Sequence, residues 1–156
     1  MTATQDRLVT PISRVRAVLA EVVEGQEMAW LEKVRGVLEV LVRALRDHIK
    51  GDESPNGSLT TLNGTQQDAV ATLDREVKQL RNEHVDLLDS ASALLGLIES
   101  QHSRILAHVS DGVDSEAVTK IHNLCTALLD RLDAHNDYER NLFVTVSTRD
   151  EPGGGD

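Results

Sequence analysis

The sequence predicts an all-α fold, an up-down-up-down antiparallel four-helix bundle. Leu, Val, Ile and Ala recur at steps of three and four residues over long stretches, and no segment shows the period-two alternation of a half-buried strand. Gly, Pro and Asn gather mostly between those stretches. The intervals are short, which makes consecutive helices antiparallel neighbours.

The first helix is expected to open at Thr10-Pro11, a cap followed by proline at the first helical position, and to run to about Glu24. Ile12, Val15, Leu19 and Val22 share one of its faces, and Gly25 breaks it. The second begins near Glu27, with Leu31, Val34, Leu38, Leu41, Leu45 and His48 in an unbroken series that Asp52 continues. It ends where the Gly-, Pro- and Asn-rich segment 51–64 begins, with room for a short helical turn around Leu59–Leu62. The third has the clearest seam: Leu73, Val77, Leu80, His84, Leu87, Ala91, Leu94 and Ile98. It reaches toward Val109 before Ser110-Asp111-Gly112 stops it. The fourth starts at the Asp114-Ser115-Glu116 cap and carries the stripe Ile121, Leu124, Leu128, Leu132, His135, Glu139 and Leu142. One domain, residues 1–147, is therefore expected, followed by a polar, Gly-rich tail over 148–156 that should be disordered.

Composition excludes several classes of function. A net charge of −10 argues against nucleic acid as a partner, since phosphates would be repelled. No run approaches the length of a membrane span, and no basic amphipathic helix suits an anionic membrane surface. The segment MTATQDRLVTPISR lacks the basic and apolar regions of a secretory signal, so a cytoplasmic protein is expected. Cys125 is the single cysteine and sits in an apolar helical stretch, as a buried small residue would. No nucleophile–base motif or phosphate-binding glycine loop is present, so no catalytic residue is assigned.

The histidines carry the chemical signal. His48, His84 and His135 occupy apolar-seam positions on three different helices, and two of them have a carboxylate one turn later, Asp52 and Glu139. Burying such groups unpaired is expensive, whereas a metal held between helices supplies the partner. The direction of each helix allows the three histidines to meet at one level of the bundle. Imidazole with carboxylate suits iron, manganese or zinc. Glu53 and Glu83 flank the set, either as alternative ligands or as acceptors from a histidine N–H. The competing reading makes each histidine a satisfied boundary residue. His102, His108 and His122 fall away from these positions and read as surface residues.

LVRALRDHIKGDE, RNEHVDLLD and LLDRLDAHNDYERNLF resemble helices B, C and D of hemerythrin-like (HHE cation-binding) domains. The match runs through Leu45, His48, Asp52 and Glu53, then Glu83, His84, Leu87 and Leu88, then His135, Glu139, Leu142 and Phe143, and covers about residues 8 to 146. The resemblance implies a four-helix bundle with a non-haem di-iron centre whose ligands are His48, Asp52, His84, His135 and Glu139. The family places a further histidine early in helix A. This chain has none before His48, and the corresponding position falls on Ile12. An altered di-iron site, a single-iron site, or a metal-free bundle acting as a protein-interaction module all follow from that departure. The first two imply oxygen, nitric oxide or redox sensing, or iron handling, with a small diatomic ligand as partner. The sequence names no protein partner.

Overall fold

The structure, a computed structural model, describes residues 3–21, 24–53, 70–106 and 115–149. Among them are four helices and no strand: α1 (Ala3–Leu19), α2 (Glu27–Asp52), α3 (Val70–Leu106) and α4 (Ser115–Arg149). Together they form a four-helix bundle. The expected turn at Leu59–Leu62, the stop at Ser110-Asp111-Gly112 and residues 150–156 lie outside the described residues.

α1 departs most from expectation. It begins at Ala3, so Pro11 lies inside the helix rather than at its start. An interior proline removes one backbone hydrogen bond. The preceding turns nevertheless add the fully buried Leu8 to the face made by Ile12, Val15 and Leu19. The helix also stops earlier than Glu24. The Glu21 amide reaches back only three residues to the Val18 carbonyl, which tightens the last turn. The Val18 carbonyl also accepts from Trp30 Nε1 at 3.2 Å, and the Leu19 carbonyl from His122 Nε2 at 3.2 Å. Gly25 then takes φ 79°, a left-handed conformation that glycine adopts without steric cost, and the chain turns into α2.

The α2 series Leu31, Val34, Leu38, Leu41, Leu45, His48 and Asp52 is buried throughout, as is α3 from Val77 to Ile98 at the expected steps. In α4 the seam runs through Cys125, while Leu124 is exposed. Steps of four and three from Ile121 pass through Cys125 and Leu128, which rotates Leu124 off the core face. The helix continues through Ser147–Arg149, beyond the expected start of the tail.

Cross-helix contacts give the register. Trp30 near the start of α2 meets Val18 near the end of α1. Glu53, just past α2, meets His84, and Glu32 near the start of α2 faces His102 late in α3. Between α3 and α4, Glu83 pairs with His135 and Ser90 with Arg131. Arg16 of α1 reaches Asp130 and Asp133 of α4. These pairings are consistent with neighbouring helices that run in opposite directions.

The core has two parts. The larger joins Leu8, Val15, Leu31, Leu38, Leu45, Leu87 and Leu132 with their neighbours from all four helices. The smaller holds Val77, Leu80 and Leu142, with Tyr138 and Phe143 against it. In sequence, His84 separates Leu80 from Leu87, and His135 and Glu139 separate Leu132 from Leu142. A polar layer therefore interrupts the apolar interior at one level. No helix among the described residues is long and apolar enough to cross a membrane.

Candidate metal centre

Five side chains make up that layer: His48 and Asp52 from α2, His84 from α3, and His135 and Glu139 from α4. Each is at most 2% exposed. In α2 and α4 the four-residue spacing stacks imidazole and carboxylate on one helix face, so each pair enters the interior together. Leu80 and Leu87 lock His84 into the seam between them.

The Nε2 atoms converge. Glu139 Oε2 lies 3.1 Å from His135 Nε2, 3.3 Å from His48 Nε2 and 4.0 Å from His84 Nε2. Asp52 Oδ2 lies 3.0 Å from His48 Nε2 and 3.6 Å from His84 Nε2. One donor atom from each of His48, His84, His135 and Glu139 falls within 4.8 Å of all the others. The ring centroids are 4.8 to 6.0 Å apart, with the rings steeply inclined to one another rather than stacked. This buried group can hold a metal ion.

The outward ring nitrogens decide the tautomers. His135 Nδ1 is 2.9 Å from Glu83 Oε2, and His84 Nδ1 is 3.3 Å from Glu53 Oε2. A carboxylate oxygen accepts, so each Nδ1 carries a proton, and His84, kept neutral by burial, turns its Nε2 lone pair inward. His84 Nε2 is buried without a hydrogen bond. The His84 lone pair thus faces carboxylate oxygens across 3.6 and 4.0 Å, an arrangement that repels unless a cation lies among them. The donor set fits a metal on this ground.

The electrostatics follow from the same crowding. Burial pulls His48 down, but Asp52 and Glu139 outweigh it and push the imidazole up to about 10. Burial, reinforced by His135 and His48, lowers His84 to about 3. Asp52 is raised by burial to about 6, with His48 opposing and Glu139 adding to the rise. Burial works against ionisation of Glu139 as well, yet His135 and His48 hold it well below the usual carboxylate range. Without a metal, His48 is the imidazole whose protonation the two buried carboxylates favour.

Comparisons of this chain with protein-family models, with curated proteins and with solved structures returned no match.

The structure brings all five seam residues of the sequence reading into one layer, with Glu53 and Glu83 just outside it. Ile12 is buried in the larger apolar cluster. Among the side chains described in α1, residues 7–19, none is His, Cys, Asp or Glu. Of the histidines expected on the surface, His122 is half-buried and bonded to the end of α1, and His102 is part-buried beside Glu32. His108 lies outside the described residues. Two polar residues escaped the sequence reading. Arg81, one turn before His84, places Nε 3.5 Å from Glu53 Oε1, and Asn136 is buried beside His135. The spacing of Arg81 from His84 was a usable signal, whereas Asn136 lies off the seam and had none. A cavity of about 330 Å³ lined by Glu83, Leu87, Arg131, Ala134, His135 and Tyr138 opens beside His135.

Proposed function

We propose that this chain is a non-haem iron-binding protein of hemerythrin-like type, an up-down-up-down antiparallel bundle whose polar layer serves oxygen, nitric oxide or redox sensing, or iron handling. The observation that carries this reading is the convergence of three histidine Nε2 atoms and two carboxylates in a buried layer. Mixed imidazole and carboxylate ligation suits iron, manganese or zinc, and the resemblance of the three ligand-bearing helices favours iron.

Spacing favours one metal over two. Donors about 2.1 Å from a single cation lie about 3.0–3.4 Å from one another at right or tetrahedral angles. Three of the separations between nitrogens and carboxylate oxygens, 3.0, 3.1 and 3.3 Å, fall in that range, and the two from His84, 3.6 and 4.0 Å, stay below the about 4.2 Å that opposite donors would span. His48, His84, His135 and Glu139 would hold the ion, with Asp52 beside them as a fifth donor. A bound iron would supply reversible one-electron chemistry and affinity for a diatomic ligand. The protein's part is to orient the rings through Glu53 and Glu83 and to exclude bulk water. The apolar described face of α1 adds no donor, which leaves the metal fewer ligands than the family provides.

Anaerobic equilibrium dialysis against Fe²⁺ tests this reading. Wild type should take up one ion per chain, His84→Ala should take up far less, and His102→Ala should match wild type. Equal and negligible uptake by all three, with helicity intact, would instead support a metal-free interaction module.

A further inference from the structure

Glu53 and Glu83 each join a ligand-bearing histidine on a different helix. His84 of α3 is met by Glu53 from the end of α2, and His135 of α4 is met by Glu83 of α3. Both histidines are buried, whereas the two carboxylates remain 31% and 35% exposed. The carboxylates are therefore not forced into the interior. They stay at its edge, with one oxygen turned onto a ring N–H.

We infer that Glu83 and Glu53 are positioning residues for the metal centre, clasping its histidines across helix boundaries, and that Glu83 has the larger effect on the metal. This inference rests on the metal-binding reading given above. A carboxylate on Nδ1 fixes the ring rotation and makes Nε2 a stronger donor. The two clasps are unequal. Glu83 Oε2 approaches His135 at 2.9 Å, while Glu53 Oε2 stands 3.3 Å from His84 and its other oxygen faces Arg81 Nε at 3.5 Å. Arg81 offsets part of the Glu53 charge, so His84 receives less electron density than His135. The two clasps also bind α2 to α3 and α3 to α4 at the level of the site, which ties helix register to donor geometry.

The test uses Co²⁺ alone as probe, because its visible absorption reports donor strength and geometry independently of any activity. Dissociation constants and spectra are compared for wild type, Glu83→Ala, Glu83→Gln, Glu53→Gln and His84→Ala, with circular dichroism as the check on folding. Glu83→Ala should weaken Co²⁺ binding about 10–100-fold. Glu83→Gln keeps an acceptor oxygen but not the charge, so it should recover only part of the affinity and retain a shifted spectrum. Glu53→Gln should cost less than Glu83→Gln. Glu83 variants within twofold of wild type, with His84→Ala abolishing binding, would overturn the inference while leaving the metal site standing. Full rescue by Gln would overturn the electronic half of it. Failure of wild type to bind Co²⁺, so that it equals His84→Ala, would overturn both.

Discussion

His84→Leu should stabilise the metal-free protein and destroy its response to metal. His84 sits between Leu80 and Leu87, is 1% exposed, and has a buried Nε2 with no hydrogen bond. Relieving an unsatisfied buried polar atom is worth about 1–3 kcal/mol. Leu in that seam adds apolar burial, with a full side chain worth about 1.5–3 kcal/mol. The lost bond to Glu53 offsets this by about 1 kcal/mol, since that carboxylate is partly exposed, already faces Arg81 and can rehydrate. The net change at pH 7.5 is stabilising by about 1.5–5 kcal/mol, at about 2–4 °C of Tm per kcal/mol. Metal at 100 times Kd should add about 2.7 kcal/mol to wild type and nothing to the variant. Urea unfolding with chelator and with Fe²⁺ should therefore show the variant's lead over wild type shrinking by about 2.7 kcal/mol when metal is added. The advantage of the metal-free variant should grow below pH 6.5, because wild-type His84, lowered to about 3 when folded, takes up a proton more readily unfolded. A variant less stable than wild type in chelator, with an unchanged metal response, would refute this reasoning and make His84 a structural core residue.

Further outcomes follow from the same layer and its surroundings. His48 is pushed up to about 10 and Asp52 to about 6, so metal binding near pH 8 should release about one proton, which calorimetry in buffers of different ionisation heat measures. Metal-free stability carried by His48 should be full below pH 6.5 and fade as pH rises toward 10, visible as a falling urea midpoint. Leu132→Ala, at a fully buried position one turn from His135, should cost about 2–5 kcal/mol in urea with or without metal. Arg16→Ala removes exposed ion pairs to Asp130 and Asp133, so it should cost less than about 1 kcal/mol, and nothing measurable in high salt.

The seams were the legible part of this molecule. In α2 and α3 the steps of three and four led from aliphatic residues to His48, Asp52 and His84 without a break, and the structure buries each where the period places it. Pairing by four residues made the α4 couple, His135 and Glu139, equally readable. Helix ends were less so. Thr10-Pro11 has the chemistry of a start, yet Leu8 continues the apolar face beyond it and the helix follows burial rather than the proline signal. Leu124 and Cys125 compete for one seam position, and hydrophobicity alone chooses the wrong one. Which carboxylate meets which histidine depends on helix register. Glu53 and Glu83 were therefore candidates in the sequence, but their partners His84 and His135 emerge only when the helices are packed.

Iron per folded chain bears most directly on the claim that this layer holds one metal ion. The protein should be purified from iron-supplemented cells without a metal-binding tag and analysed for iron, manganese and zinc together. One iron per chain, lost on His84→Ala, is the expected result. No bound metal in a folded chain would contradict the claim.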